Sequence, residues 1–241
     1  MGLVTLTGLV LSSSDVGEFD KRLVILTRED GKVTAFAKGA RRPHNPMVAA
    51  CSPFCFGSFE AYQGRHSYHL TKADIKNYFR DIVMDYDRVC LGSYFLEMAD
   101  YLAQEGADEK ARLALLYQSL RALESGKFSH TLLRDIYELR TWVIDGEYPE
   151  VFSCIACGSR TDLKSFSVKH HGMLCKKCSD RESGTEISAS TLYTMQFIVS
   201  SPLEKLYTFV LNNDTEEELT RILKAYRLNY RSHKYKSEDF L

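Results

Sequence analysis

Apolar and polar side chains alternate along the first eighty residues in short runs separated by turn residues, the two-residue period of half-buried strands. Five such runs stand out: VTLTGLVLSS, KRLVILTRE, KVTAFAKG, PFCFGSFEAY and HSYHLTKADI. The breaks between them fall at Ser14-Asp15, Asp30-Gly31, the Arg-Pro segment and Gln63-Gly64. In the third run Val33, Ala35 and Ala37 point to one side, and Lys32, Thr34, Phe36 and Lys38 to the other. Five short strands with one longer insertion between the third and fourth predict a small closed barrel of the OB type. The same periodicity also describes an SH3-like barrel or an open meander.

Beyond Asp85 the rhythm changes to steps of three and four, the spacing of an amphipathic helix. Leu91, Tyr94, Phe95, Met98 and Leu102 form one stripe, and Leu113, Leu116, Tyr117, Leu120 and Leu123 a second. Ser129 is placed to cap a third helix carrying Leu132, Leu133, Ile136, Leu139 and Val143, which Gly146 and Pro149 end. Two further helices are predicted over SASTLYTMQFIV and DTEEELTRILKAYRLNY, the latter with Asp214 and Glu217 at capping-box spacing and Leu219, Ile222, Leu223 and Tyr226 facing inward. These stripes read as packing between helices. The fold class is therefore α+β: an N-terminal five-stranded OB-type barrel at residues 1–80, then an all-α helical domain at 81–241 carrying a cysteine module at 150–182.

A length of 241 residues, 44% hydrophobic and 26% charged, suits a soluble globular protein with a real core. The opening MGLVTLTGLVLSSSD has no basic leader and only a short apolar run, which argues against a signal peptide or a membrane span. A cytoplasmic, reducing location is expected. The net charge of -1 conceals segregation: residues 1–80 hold 11 Lys+Arg against 7 Asp+Glu, whereas residues 81–150 hold 7 against 14. Residues 151–180 return to 5 against 2. A polyanion would find its attraction at the barrel and the cysteine module, and the acidic middle helices suit a protein partner.

In a reducing interior, paired thiols favour metal or redox chemistry over structural disulfides. Four of the seven cysteines form Cys154-x2-Cys157-x17-Cys175-x2-Cys178, the spacing of a zinc site built from two knuckles. A two-residue gap lets both sulfurs of a pair reach one ion, and Gly158 permits the tight turn that follows. Four thiolates complete a tetrahedral shell, so a zinc ion there braces structure and leaves no open position for catalysis. The competing accounts are a thioredoxin-type redox pair, which needs no second pair, and chance clustering of core thiols. His170 and His171 lie near the second knuckle but read as surface residues, and Cys51, Cys55 and Cys90 read as buried thiols.

Between the third and fourth runs lies AFAKGARRPHNP, where Lys38, Arg41 and Arg42 surround a glycine that lets backbone approach a phosphate. Its plain alternative is an ordinary solvated turn. Lys21, Arg22 and Arg65 add positive charge in the same half, and Phe36, Tyr62 and Tyr68 offer either stacking faces for bases or filling for the barrel.

The segments GEFDKRLVILTREDGKVTAFAKGARRP, LTKADI, DYDRVCLGSYFLEMADYL, ELRTWVIDGEYPEVFSCIACG and LCKKC, in that order, resemble the RecO family of bacterial DNA repair proteins over residues 1 to about 230. The resemblance implies an OB domain, a helical domain and an inserted zinc module with Cys154, Cys157, Cys175 and Cys178 as ligands. It further implies a recombination mediator that binds single- and double-stranded DNA, anneals complementary strands and helps load the RecA recombinase. RecR and the single-stranded DNA binding protein are the implied partners. Lys38, Arg41 and Arg42 are the implied phosphate contacts, with Lys21 and Arg22 in a matching turn. The chain departs from the pattern where His44, Asn45, Pro46 and Met47 follow the loop in place of further basic residues. Arg221, Lys224 and Arg227 on the last helix are candidates for docking the acidic tail of the single-strand binding protein. Without GxxxxGK(S/T), GxSxG or HExxH, an enzyme is not expected, and a protein adaptor with no DNA binding is the alternative.

Overall fold

The alternating segment folds into strands β1 (Leu3–Val16), β2 (Asp20–Thr27), β3 (Gly31–Ala37), β4 (Phe56–Gln63) and β5 (Tyr68–Asn77), with a single helical turn α1 (Met47–Ala50) between β3 and β4. This structure is a computed structural model that describes residues 2–230 and 233–241. The strands close in the order β1-β2-β3-β5-β4, β4 returning to pair with β1, and β3 and β5 run parallel. That order is the OB barrel's, so the SH3-like and open-meander alternatives fall away. The alternation fills the interior: Leu23, Ile25, Val33, Ala35, Ala37, Phe59, Ala61 and Leu70 are buried together. β1 runs to Val16, so the first hairpin turns at Gly17–Phe19; Ser14 and Asp15, expected as the break, pair with Arg22 and Lys21 inside the ladder.

After the barrel come α2 (Arg80–Val83), α3 (Tyr86–Leu102) and α4 (Lys110–Ser125). Asp85 caps α3 by accepting from the Arg88 amide, and Leu91, Tyr94, Phe95 and Met98 are buried as their spacing predicts. α3 and α4 pack against β1 and β2, which explains why Leu9, Val10, Leu11 and Leu26 are buried on both faces of those strands. Close approach of strands demands Gly57, where a Cβ would lie 2.2 Å from the Asp74 carbonyl oxygen. The closing 3-10 turn Lys236–Phe240 belongs to the same unit: Glu97 of α3 accepts from the Lys236 and Ser237 amides and the Ser237 hydroxyl. By packing, this unit comprises residues up to Ser125 together with Tyr235–Leu241, and a second unit spans Gly126–Lys234.

The second unit holds α5 (His130–Asp145), β6 (Leu163–Ser167), β7 (Gly172–Cys175), α6 (Lys176–Ser179), β8 (Thr185–Glu186), α7 (Ala189–Ser200) and α8 (Asn213–Tyr230). Ser129 caps α5 and Gly146 ends it at φ 74°, as expected. α5, α7 and α8 pack on one another, with Leu219, Ile222, Leu223 and Tyr226 inward. The α8 cap differs from expectation: Asn212 Oδ1, not Asp214, accepts from the Thr215 amide. The α5–α8 seam encloses ionic groups. Arg227 donates both its Nη1 contacts to the Glu138 carboxylate at 2.6 and 2.7 Å, Arg134 donates to the same group at 2.9 Å, and Thr220 donates to Asp135 at 2.6 Å. No helix among the described residues is long and apolar enough to cross a membrane.

Candidate nucleic-acid interface and metal centre

The two motifs that carry the barrel's charge are built on each other. Asp20, which opens β2, accepts from the Gly39 amide at 2.7 Å, and the Arg41 amide donates to the Phe19 carbonyl at 2.9 Å. Gly39 sits at φ 68°, a conformation that glycine adopts without strain, and its carbonyl accepts from the Asn45 side chain at 2.7 Å. Thus the β3–α1 loop lies pinned along the β1–β2 turn, and its basic side chains emerge from fixed backbone. Lys38 is exposed, with no hydrogen-bond or ion-pair partner among the described residues. Arg42 is exposed and lies over the Phe19 ring, 5.0 Å from its centroid. Arg41 is exposed but engaged, with Asp15 at 3.2 Å and the Glu18 carbonyl at 3.2 Å.

The other predicted cations are distributed around the barrel. Lys21 shares the inward-facing side of β2 with Leu23 and Ile25, half-buried, and its charge opposes the burial that pushes the Cys51 thiol up to about 11. Arg22 is exposed on the outer face, 3.5 Å from the Thr34 hydroxyl. Arg65 is exposed at the β4–β5 hairpin. Of the three aromatic candidates, Phe36 and Tyr62 are on the outer face, Tyr62 47% exposed. Tyr68 is not: it shares the inner side with Leu70, and its hydroxyl donates to Asp30 at 2.6 Å. Burial, then that hydrogen bond, pushes its pKa up to about 12. His69, which the sequence reading passed over, takes the outward place with its ring stacked at 6.1 Å and 28° to Phe36.

The cysteine pairs meet. The four sulfurs of Cys154, Cys157, Cys175 and Cys178 lie within 4.8 Å of one another, and those of Cys157 and Cys175 are 3.8 Å apart. A tetrahedron with bonds of about 2.3 Å has edges of about 3.8 Å, so the spacing fits one ion. The first knuckle turns where the Gly158 amide donates to the Cys154 carbonyl at 2.8 Å, with Gly158 at φ 75°. The second forms where β7 ends at Cys175 and α6 begins, and the Lys176 amide donates to the Asp162 carbonyl at 2.9 Å. Leu174, Ile155 and Leu163 pack beneath the sulfurs.

The thiols of the cluster perturb one another. Burial works to raise the Cys154 thiol, but the Cys175, Ala156 and Cys157 amides aimed at its sulfur bring it down to about 6. Cys178, donating to Cys157 and Cys175 beside that sulfur, is pushed up to about 12. A divalent ion held at the cluster would accept all four as thiolates. His170 is turned to Glu182 at 3.2 Å and His171 against Tyr226, so neither is in the cluster. Cys51 and Cys55 are buried in the barrel and Cys90 is half-buried. Arg227, a candidate for docking an acidic tail, is buried against Glu138 and Arg221 lies 3.5 Å from Glu218, which leaves Lys224 as the exposed one of the three with no ion-pair partner among the described residues.

Two family models cover nearly the whole chain: that of the recombination protein O N-terminal region matches residues 1–79, and that of its C-terminal region matches residues 83–239. The chain belongs to the RecO family. A DNA repair protein RecO of Symbiobacterium thermophilum is 31% identical over 247 residues, covering 100% of this chain and 97% of that protein. One of Desulforamulus reducens is 30% identical, covering 100% and 94%, and one of Acetivibrio thermocellus 28%, covering 100% and 97%. The RecO family places the chain in DNA repair and recombination.

Proposed function

We propose that this protein is a recombination mediator that binds single- and double-stranded DNA through phosphate contacts, anneals complementary strands and helps load RecA. The observation that carries the reading is the fixed basic loop of the barrel, with Lys38 and Arg42 exposed on backbone that Asp20 and Asn45 hold in place, in a chain of the RecO family. Annealing makes and breaks no covalent bond, so the protein needs only to cancel strand repulsion and leave pairing edges free. Lys38, Arg41, Arg42, Arg22 and Arg65 supply that positive charge on the outside of the barrel; Lys21 contributes from its end. Arg41 exchanges Asp15 for a phosphate at small cost, since both partners are largely solvated.

A zinc ion held by Cys154, Cys157, Cys175 and Cys178 braces the module between α5 and α7, and with four protein ligands it takes no part in chemistry. In this reading the protein acts without catalysing a covalent reaction. Four thiolates and one Zn2+ lower the formal charge of that module by two, which makes the barrel the stronger attractor for a polyanion. RecR and the single-stranded DNA binding protein are the protein partners of this reading, and the cytoplasm its location. Mixing labelled complementary oligonucleotides with the purified protein tests it: pairing should accelerate without nucleotide. No acceleration, with no retention on DNA cellulose, would favour a protein adaptor instead.

A further inference from the structure

One lateral row of outward side chains crosses the barrel without interruption. Arg22 on β2 pairs with Phe36 on β3, Phe36 with His69 on β5, and His69 with Tyr62 on β4. Their inward neighbours Ala35, Ala37, Leu70 and Ala61 are all buried, so the alternation leaves these four on the outside. α3 and α4 cover β1 and β2 further along, and in this row Arg22, His69 and Tyr62 are exposed and Phe36 is half-buried. Three rings on adjacent strands about 4.8 Å apart span about 10 Å, the reach of two to three nucleotides at roughly 3.4 Å each. Phe36 and His69 already lie nearly parallel, their rings 28° apart with centroids at 6.1 Å. The row's fixed charge is the cation Arg22. Lys38 follows Phe36 on the same side just past the end of β3, about 7 Å along at two residues of strand rise.

We infer that Phe36, His69 and Tyr62 form a stacking platform for unpaired nucleic-acid bases, with Arg22 and Lys38 holding the adjoining phosphates. The inference deepens the reading of the barrel as a strand-binding surface and rests on it. Aromatic rings engage the flat faces of bases and leave the hydrogen-bonding edges exposed, so a strand lying on the row remains competent to pair. Within a duplex those faces are covered by neighbouring base pairs. Pairing therefore withdraws the bases from the row and leaves the product held through phosphates alone, which gives the surface a preference for single strands and a route to release.

The test compares two labelled polymers of equal length and charge, oligo(dT) and a fully abasic deoxyribose-phosphate strand, by anisotropy titration on the full-length protein and its F36L/Y62L variant. Both replacements are outward-facing and keep apolar bulk, and the abasic strand reports whether the variant retains a folded phosphate surface. Wild type should bind oligo(dT) more tightly than the abasic strand, by on the order of tenfold for each ring engaged. The variant, which keeps His69, should lose most of that margin while its affinity for the abasic strand and for duplex is unchanged. Equal affinity of wild type for the two strands, or parallel weakening of both in the variant, overturns the platform and leaves the row to a protein partner while phosphate binding stands. Retention of neither polymer overturns the platform together with the strand-binding reading.

Discussion

Replacing Asp135 with Asn should stabilise the second unit at pH 8 by about 4 kcal/mol and by much less at acid pH. Asp135 is 2% exposed on α5, where it accepts from the Thr220 hydroxyl of α8. Burial is the largest influence on it and raises its pKa from 3.8 to about 7; Glu138 adds to the rise, while the Thr220 hydrogen bond, Arg227 and Arg134 oppose it. A folded pKa above the unfolded one means the folded chain binds the proton more tightly. The stability this group contributes is full below about pH 4, declines as pH rises, and is lost above about pH 7. Roughly three pH units at 1.36 kcal/mol each give the figure of about 4. Asn keeps an acceptor for Thr220 and carries no charge. Urea unfolding followed by Trp142 fluorescence measures the effect, because this one tryptophan is buried in the same helix. The Asn variant's advantage should grow by about 2 kcal/mol between pH 5.5 and pH 8, and comparing variant with wild type at each pH cancels proton effects on the metal centre. An advantage independent of pH, or a variant weaker than wild type at pH 8, would refute the argument.

Replacing Arg41 and Arg42 together with Ala should weaken strand binding equally for all sequences and reduce the salt slope by about 1.4, at about 0.7 per phosphate, measured by anisotropy at several salt concentrations. Cobalt(II) in place of the native metal should give the intense visible bands of a tetrahedral thiolate centre at one ion per chain, and Cys157→Ser should abolish them. Gly57→Ala, which forces a methyl to 2.2 Å from a backbone oxygen, should cost about 3 kcal/mol in denaturant unfolding of the barrel.

Period and spacing carried most of the architecture into the sequence. The barrel strands are legible because one face of each is buried, and the cysteine centre because its ligands come in two local pairs. What alternation does not state is which of its two faces is the inner one. Tyr68 and His69 show this: the aromatic residue went inward beside Leu70 to bond Asp30, and the histidine took the exposed place. Arg227 escaped for a different reason. Its partner Glu138 is 89 residues away, so a cation that reads as a docking candidate on α8 is half of a buried pair. The α8 cap differs for a local reason, since Asn212 reaches the Thr215 amide before Asp214 has any orphan donor to serve. The charge of the β3–α1 loop was visible, whereas its attachment to the β1–β2 turn through Asp20 and Gly39 needed the fold.

The salt dependence of binding to a single strand, read alongside annealing of two complementary strands, tests the central claim that exposed cations of the barrel cancel phosphate repulsion. With about five phosphates neutralised, the logarithm of the binding constant should fall with the logarithm of salt at a slope near -3.5, and annealing should slow in step. Binding indifferent to salt, or annealing that persists undiminished once binding is lost, would contradict it.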